Sequence, residues 1–506
     1  MGHPLKPTFC PQHFPSRRVT IPIAVLAFTS LLLSRIIRVE PGYTPAGDFR
    51  IRFLWAFSTA PSASLEFTQS CSSGGLDDFS RVEDSPLATG LRKAFRKRPR
   101  KQLPEEVAEL ECSHWWQAYA DYHRRVLDYN GAGGWPAPRL AVVKKGRGVL
   151  GDGGGLGDTV SSQVSSLVFA MLSGRVFQVY WTKAQFVFEN PYINTSYTGP
   201  EEYLDLTPDK EQGGTAESRD GKAQSSCVQV PSRNDAARFW LDDEVKRTGD
   251  FNAGPLRHRI ELLDTNKGVL NLWWDEPLVR DRMLAAGLDR ENLYGCALNF
   301  LFRPIPAVAA VMLPIAKMLL DPGVFSIGIH VRTDYTDSAM KGGDGAKSVA
   351  DYWTPFQCAK DIELQYAELI GKRKIIWYVA SDSDSLRQNA QEMFGRDRQI
   401  YLLDAKPTNA YIQRATDTCS YEWDCLNPLP VKALETTFVE WWLYSLNDFF
   451  VITDSGLSVS SVGRSMKRNT TYYVDLRQEP KPEKGQPICM GEPTLWRNIE
   501  NLRAGM

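Results

Sequence analysis

The stretch from Phe325 to Thr333 constrains the fold of this chain more than any other part of the sequence. Apolar residues alternate with small or polar residues along it, which is the period-two pattern of a β-strand. The two faces carry Phe325, Ile327, Ile329 and Val331 on one side, and Ser326, Gly328, His330 and Arg332 on the other. In an open α/β sheet, ligands bind at the carboxyl ends of the strands, where His330 and Arg332 would lie. An arginine there can grip a phosphate through two parallel hydrogen bonds, although an exposed edge strand with a surface arginine would show the same pattern.

Strands and helices alternate along the rest of the folded part, which predicts an α/β fold of two Rossmann-like domains that face a cleft. In the first half, the periodicity predicts a helix over 105–129, a strand over 140–143, a glycine-rich loop over 148–158, a helix over 160–172 and a strand over 176–181. In the second half, it predicts strands over 325–333, 374–380, 399–403 and 448–453, and helices over 359–370, 385–394 and 431–446. The polar stretch 207–234 is interpreted as a surface insertion.

The N-terminal part of the chain is predicted to lie outside this fold. An apolar run follows Arg17 and Arg18 and predicts a single transmembrane helix, with a cleaved signal peptide as the alternative. A stretch rich in Ser, Pro and Gly comes next and predicts a flexible stem. The predicted segments are a cytosolic tail (1–18), the membrane anchor (19–37), the stem (38–104) and two α/β domains (105–315 and 316–506).

Charge and cysteine content narrow the class and the compartment. The chain of 506 residues has a formal net charge of −1, which argues against a nucleic-acid binder that relies on bulk positive charge. Nine cysteines include Cys10 in the predicted tail, and the remaining eight permit disulfides in an oxidising lumen. Cys419 and Cys425 enclose a short loop and are the first pair expected. The sequons at Asn194 and Asn469 fit a lumenal body, although a reduced cytosolic protein is the alternative.

Three further segments carry candidate ligand contacts. The glycine-rich loop, with Gly155 and Gly157, allows backbone to approach a ligand closely, or is simply a turn. Ser381 and Asp382 follow a predicted buried strand and are interpreted as ligand contacts without a metal. The alternatives are a metal-binding D-x-D through Asp384, or Asp384 as an ordinary residue of a helix first turn.

The third segment, residues 453–461, follows another predicted strand. Its small residues and hydroxyls, Ser455 and Ser458 among them, can present N–H groups to a phosphate, or can simply cap a helix. Glu440, on the preceding helix, is a candidate acceptor for a base edge, or an exposed helix residue. The sequence contains no H-E-x-x-H metal motif and no G-x-S-x-G nucleophile elbow.

Together these segments resemble the fucosyltransferase superfamily of plant xyloglucan, bacterial nodulation and animal core α1,6-fucosyltransferases. The resemblance covers about residues 140–480, and the block around His330 and Arg332 matches the H-x-R donor motif of the family. The other similar segments are 154–176, 293–304, 378–382 and 451–463.

The resemblance implies a metal-independent, inverting GT-B glycosyltransferase that moves fucose from GDP-fucose to a glycan hydroxyl. It needs no cofactor, its partners are a nucleotide-sugar donor and a glycan acceptor, and it would be a single-pass type II protein of the Golgi membrane with its catalytic domain in the lumen. Residues 105–315 would form the acceptor side, and residues 316–506 would bind the nucleotide sugar. The alternatives are a GT-B transferase that uses another nucleotide sugar, and an inactive lumenal glycan-binding protein.

The resemblance also implies roles for single residues. Arg332 would bind the β-phosphate of the departing GDP, His330 would help to hold the nucleotide, and Glu440 would recognise guanine. Gly155, Gly157, Asp382, Ser455 and Ser458 complete the predicted nucleotide contacts. The core enzymes carry two consecutive arginines where this chain has Arg332 and Thr333. Their acidic base has no clear counterpart, and Asp334 and Asp337 are the candidates for deprotonating the acceptor.

Overall fold

All residues that the computed structural model describes lie within residues 84–506. The described residues are 85–96, 100–130, 138–144, 155–181, 184–197, 207–208, 216–217, 228–229, 243–252, 260–263, 268–333, 347–403, 428–476 and 486–494. The predicted tail, membrane anchor and most of the predicted stem lie outside them, as do Asp334, Asp337, Cys419 and Cys425. None of the described helices combines the length and the apolar character needed to cross a membrane.

The first half of the unit contains a parallel sheet flanked by helices. Its helices are α1 (Pro86–Ala94), α2 (Pro104–Asn130), α3 (Leu156–Ser173), α4 (Asp243–Thr248), α5 (Leu270–Asp275), α6 (Pro277–Ala285) and α7 (Leu293–Leu301). Its strands are β1 (Leu140–Lys144), β2 (Val176–Tyr180), β3 (Phe188–Glu189), β4 (Thr207–Pro208), β5 (Ala216–Glu217), β6 (Val228–Gln229), β7 (Ile260–Leu263) and β8 (Arg303–Pro304).

The first sheet has the order β2-β1-β7-β6, with every pair parallel. Leu140 of β1 lies opposite both Val176 and Ile260, and these apolar side chains form part of a buried cluster. An apolar strand of this kind is stable when helices cover both faces of its sheet. Strand β6 lies within the stretch 207–234, so part of the predicted surface insertion adds a strand to the sheet.

The second half contains a five-stranded parallel sheet. Its elements are α8 (Pro306–Leu319), β9 (Val324–Val331), α9 (Trp353–Gln365), α10 (Ala367–Ile370), β10 (Lys374–Ser381), α11 (Asp384–Phe394), β11 (Gln399–Tyr401), α12 (Pro428–Tyr444), β12 (Phe449–Ile452), α13 (Gly456–Arg464) and β13 (Thr471–Tyr473). The predicted strands and two of the predicted helices of this half are confirmed with shifts of a few residues at their ends, whereas the helix predicted over 359–370 begins at Trp353 and is divided at Tyr366 into α9 and α10. The strand order is β11-β10-β9-β12-β13.

Strand β9 lies at the centre of this sheet, and all eight of its residues are buried. Its apolar face packs into a core that includes Ile329, Trp377 and Val451. The polar face is covered as well, because the Tyr444 side chain lies against Gly328 and the Tyr444 hydroxyl donates a hydrogen bond to the Gly328 carbonyl oxygen, 3.2 Å away. The edge-strand alternative is therefore wrong. Apolar and polar residues alternate along β9, but both faces of the strand are buried.

The compact fold begins earlier than predicted. Helix α1 lies within the predicted stem, and its residues Leu87 and Leu91 are fully buried. Ser85 caps this helix by accepting a hydrogen bond from the Ala88 N–H. The prediction of a flexible stem is therefore wrong for the part that forms α1, because apolar residues four apart give this short helix a face to bury. The predicted domain boundary at 315/316 falls inside helix α8.

Helix α13 joins the two halves through two close backbone approaches. A β-carbon at Gly157 on α3 would collide with the backbone of Gly456 and Leu457, at the start of α13. A β-carbon at Gly295 on α7 would collide with Met466 and with the Gly463 carbonyl oxygen, near the end of α13. The three helices can pack at this distance only because these positions lack side chains.

A buried ion pair holds the end of α13. The Arg464 guanidinium is fully buried, lies 3.2 Å from the ring centroid of Trp442 and donates a hydrogen bond of 3.0 Å to Glu105 of α2. Burial lowers the pKa of Arg464 to about 9, although Glu105 opposes that shift. Burial likewise raises the pKa of Glu105, against the opposing effect of Arg464. Each charge depends on the other for compensation.

Two disulfides join distant parts of the sequence. Cys112–Cys296 links α2 to α7, and Cys358–Cys489 links α9 to the C-terminal segment. The sequence indicates that eight cysteines are available for pairing, but it does not indicate which of them pair. The pairing of Cys419 with Cys425 stays a prediction.

Gly157→Ser should destabilise the fold, whereas the same substitution at Gly155 should not. We expect a loss of about 1–3 kcal/mol at position 157, since the new side chain meets backbone that cannot move aside. No atom lies within 4 Å of a β-carbon built at Gly155, and serine is a favourable helix N-cap, so that variant should stay within about 0.5 kcal/mol of the native chain. Urea unfolding of both variants measures the difference, and equal stabilities would contradict the packing argument.

Glu105→Gln should lower the stability of the folded chain, because it leaves the buried Arg464 guanidinium without a counter-charge. We expect a loss of about 3 kcal/mol of unfolding free energy, because Arg464 stays buried without a counter-charge. Glu111 lies on the same helix but is exposed, so Glu111→Gln serves as the matched control and should change stability by less than about 0.5 kcal/mol. Thermal and urea unfolding report both values. Similar small effects in the two variants would mean that the pair does not stabilise the helix junction.

Candidate functional site

The carboxyl ends of three neighbouring strands bring the candidate site together. Strands β10, β9 and β12 are adjacent and parallel, so the residues that follow them meet at one edge of the sheet. These residues are Asp382 after β10, Arg332 after β9 and Thr453 after β12. Helix α13 begins directly beyond Thr453 and directs its N-terminus to the same edge.

Arg332 is held in place but is still open to solvent. Its backbone N–H donates a hydrogen bond of 3.3 Å to the Thr453 hydroxyl, which fixes the chain as it leaves β9. Its Nη1 atom lies 3.3 Å from Oδ2 of Asp382. The Arg332 side chain is 29% exposed, whereas the Asp382 side chain is 11% exposed. The guanidinium therefore presents donors to a ligand while one side faces its carboxylate partner.

Asp382 lies against the end of β9. Its Oδ1 atom accepts hydrogen bonds from the Thr333 N–H at 2.8 Å and from the Thr333 hydroxyl at 2.9 Å. Its other oxygen faces Arg332. Both oxygens therefore face protein groups, and the predicted contact of Asp382 with a ligand stays a prediction.

His330 lies below Arg332 in the sheet and is almost fully buried. Its ring meets the Tyr444 ring edge-on, with 6.2 Å between the ring centroids. The Tyr444 hydroxyl donates a hydrogen bond of 2.9 Å to the Val451 carbonyl oxygen. These contacts place the imidazole in the packed layer under the site, and its direct contact with a nucleotide stays a prediction.

The N-terminus of α13 supplies backbone donors. Ser455 is the N-cap residue, but its hydroxyl makes no capping hydrogen bond to the helix. The first N–H groups of a helix lack intrahelical acceptors, and the helix dipole favours an anion beside them. The Ser458 hydroxyl is buried and donates a hydrogen bond of 3.1 Å to the Ser455 carbonyl oxygen, and the predicted contact of Ser458 with the nucleotide stays a prediction. Residue 458 can still contribute its backbone N–H.

A second helix N-terminus lies beside the first. Gly155 is the N-cap residue of α3, and Gly157 in its first turn packs on the backbone of Gly456 in α13. The sequence predicts a close approach of the backbone at Gly157 to a ligand. In this structure the backbone at Gly157 lies close to that of α13. Two helix N-termini meet here, one from each half of the chain, and their dipoles reinforce the preference for a negatively charged ligand.

A buried ion pair lies near the carboxyl end of β10. Oε1 of Glu440, on α12, is 3.6 Å from Nη1 of Arg387, on α11. Arg387 also donates a hydrogen bond of 2.8 Å to the Leu403 carbonyl oxygen and lies 3.5 Å from Asp384. Burial raises the pKa of Glu440 to about 7, while Arg387 opposes the shift. Sequence reasoning identified Glu440 but missed Arg387, whose only signal was its place three residues after Asp384.

The D-x-D residues do not act as a pair. Ser383 caps α11, and Asp384 lies in its first turn beside Arg387, which agrees with the helix alternative. Asp382 faces Arg332 instead. Among the described residues, no group of three or more His, Cys, Asp or Glu side chains is arranged to hold a metal ion. Metal independence stays a prediction.

The chain is similar to solved fucosyltransferase structures. Arabidopsis thaliana FUT1, solved as a mutant in complex with GDP, matches at 15% identity and a TM-score of 0.48, over 77% of this chain and 81% of that one. Fucosyltransferase NodZ from Bradyrhizobium matches at 13% identity and a TM-score of 0.37, over 64% of this chain and 93% of that one. NodZ alpha-1,6-fucosyltransferase soaked with GDP-fucose matches at 13% identity and a TM-score of 0.35, over 64% and 92%.

No protein-family model matches the chain, and no curated protein matches it either.

The raised pKa of Glu440 predicts that stability falls as the pH rises. Its folded-state pKa of about 7 exceeds the ordinary value of 4.5, so the folded chain holds this proton more tightly than the unfolded chain does. The contribution is therefore fully present below the ordinary pKa and is lost as the pH rises through the folded value. At about 1.4 kcal/mol per pKa unit, we expect a loss of about 3 kcal/mol across that window.

Urea unfolding at several pH values between 4 and 8, as a rough range around both pKa values, measures this loss. Glu440→Gln should flatten the profile, because the amide does not titrate. Glu392→Gln is the matched control, since Glu392 is exposed on the neighbouring helix α11, and it should keep the native profile. A native slope that persists in Glu440→Gln would assign the pH dependence to other groups.

Proposed function

We propose that this protein is an inverting glycosyltransferase that transfers fucose from GDP-fucose to a hydroxyl group of a glycan. One observation carries the proposal. Arg332 stands partly exposed at the carboxyl end of the central strand β9, oriented by Asp382, beside the N-terminus of α13. A guanidinium and unpaired backbone N–H groups in one place are suited to bind a diphosphate.

The chemistry that this arrangement favours is departure of a nucleoside diphosphate. As the bond between the sugar C1 and the phosphate oxygen breaks, its electron pair moves to the diphosphate, and negative charge grows there. Donors that are already oriented toward this position stabilise the transition state without reorganising. Arg332 and the first N–H groups of α13 would take this role, and Asp382 would keep Arg332 in place.

The other half of the reaction forms the new glycosidic bond. The acceptor hydroxyl oxygen bonds to C1 on the face opposite the departing diphosphate, which inverts the configuration at C1. The hydroxyl proton must pass to a base, and a carboxylate within hydrogen-bond reach is suited to accept it. Asp334 and Asp337 come shortly after Arg332 in the sequence and are the candidates, and they lie outside the described residues.

Glu440 is the residue that the proposal assigns to the donor base. The motif resemblance implies that Glu440 accepts hydrogen bonds from guanine. Its Oε1 atom is buried and accepts no hydrogen bond within the described part of the chain, which supports a role in binding. The ion pair between Glu440 and Arg387 favours the second candidate, a transferase with another nucleotide sugar, because the carboxylate already has a cationic partner.

The proposed setting is the Golgi lumen, with residues 19–37 as the membrane anchor and no metal requirement. The two disulfides support an oxidising compartment. The D-x-D carboxylates support metal independence, because each faces its own arginine.

Binding of nucleotides to the full-length chain tests the proposal without knowledge of the acceptor. We expect GDP and GDP-fucose to bind in preference to GDP-mannose and UDP-sugars, with or without EDTA. Arg332→Ala should weaken GDP binding at least tenfold, since a hydrogen bond to a charged group contributes about 1.5–3 kcal/mol. Arg396→Ala, at an exposed arginine on the turn after α11, is the control and should bind as the native chain does.

The alternative outcomes each point elsewhere. Preference for a UDP-sugar would keep the transferase and overturn the donor. Loss of binding in EDTA would overturn metal independence. A folded chain that binds no nucleotide would support the glycan-binding alternative. An Arg332→Ala variant whose GDP affinity is unchanged would contradict the phosphate contact proposed for Arg332.

A further inference from the structure

Two sequons remain unexplained by the proposed reaction. Asn194-Thr195-Ser196 and Asn469-Thr470-Thr471 are the N-x-[ST] sequences of this chain. A short pattern of this kind also arises by chance, and asparagine is mostly exposed in folded proteins whether or not it is modified. Exposure of the asparagine is therefore required for a glycan but does not by itself identify a site, and a second observation is needed.

Asn194 is exposed and its amide nitrogen is available. The chain around it runs beside β2, where the Val179 N–H donates a hydrogen bond of 2.8 Å to the Thr195 carbonyl oxygen. The Asn194 side-chain oxygen accepts a hydrogen bond of 3.0 Å from the Ser196 N–H. The side-chain nitrogen, the atom that would carry a glycan, makes no hydrogen bond to the described residues. Ser196 is also exposed.

Asn469 is exposed on the opposite half of the chain. Its backbone lies in the left-handed region, with φ of 55°, which asparagine tolerates better than most residues do. It precedes β13, the edge strand of the second sheet, and Thr471 opens that strand opposite Phe450. Because the strands are parallel, this position lies at the amino edge of the sheet, away from Arg332 at the carboxyl edge. A glycan there would leave the candidate site open.

The disulfides supply the second observation. Cys112–Cys296 and Cys358–Cys489 place one buried bridge in each half of the chain. Stable disulfides form in oxidising compartments, and the same lumen is where asparagine is glycosylated. Two sequons with exposed asparagines and two buried bridges therefore agree on one environment, although Thr471 of the second sequon is itself buried.

We propose that Asn194 and Asn469 each carry an N-linked glycan. The bond between the asparagine side-chain nitrogen and C1 of the first sugar forms as the bond from that C1 to the diphosphate of a lipid-linked oligosaccharide donor breaks. The lipid diphosphate leaves with the electron pair of the broken bond, and the amide nitrogen loses one proton. The modification does not depend on the reaction that the protein catalyses, so it holds or fails independently of the proposed function.

The test is the electrophoretic mobility of the full-length chain, expressed in eukaryotic cells, before and after peptide N-glycosidase F. Four variants map the sites. Ser196→Ala removes the first sequon without changing Asn194, and Ser196→Thr keeps it. Asn469→Asp removes the second acceptor while tolerating the left-handed backbone, and Thr471→Ser keeps that sequon.

We expect the native chain to lose the mass of two glycans on digestion. Ser196→Ala and Asn469→Asp should each lose one, their combination none, and the two sequon-preserving variants two. A native chain whose mobility does not change on digestion would overturn the proposal, as would a double variant that shifts as the native chain does. A native shift of one glycan would overturn the assignment at whichever site the variants show to be silent.

Discussion

The candidate site depends on how closely helices α3 and α13 approach each other. The N–H groups of α13 can face the carboxyl end of β9 alongside those of α3 only if the two backbones meet, and the missing side chain at Gly157 lets them meet at Gly456. Gly295 allows a similar approach near the other end of α13. There the buried guanidinium of Arg464 binds Glu105 on α2. Elements from the first half of the chain thus hold helix α13, whose N-terminus lies at the carboxyl edge of the second sheet.

Burial decides how the charged residues of the site behave. Arg332 and Asp382 lie at the rim of the sheet, where partial exposure lowers the cost of holding the two charges and leaves the guanidinium accessible. Arg387 and Glu440 lie deeper, and there burial raises the pKa of the carboxyl group despite its cationic neighbour. The two pairs of arginine and carboxylate therefore differ in what burial does to them. In the pair Arg332–Asp382 the cation is partly exposed to solvent, whereas in the pair Arg387–Glu440 the carboxyl group is buried and has a raised pKa.

The sequence predicted most strands and helices because their periodicity reflects local geometry. It failed where neighbours in space decide the outcome. The edge-strand alternative for β9 is wrong, because the strand lies at the centre of its sheet and Tyr444 covers its polar face. The carboxylate of Asp382 faces Arg332, a partner that no local pattern in the sequence indicates. Helix α1 was missed because it is short and lies in a polar, Pro-rich context. The disulfides were missed because pairs separated by 184 and 131 residues leave no local pattern.

The sequence by itself determined the α/β class, the order of the second sheet's elements along the chain and the presence of an arginine after a buried strand. Alternation and apolar runs carry this information because each strand or helix must bury its own apolar face. Only the tertiary structure decided which residues Arg332, Glu440 and Gly157 meet. Those partners lie on other elements, and their positions follow from how the sheets and helices pack, which no local pattern in the chain records.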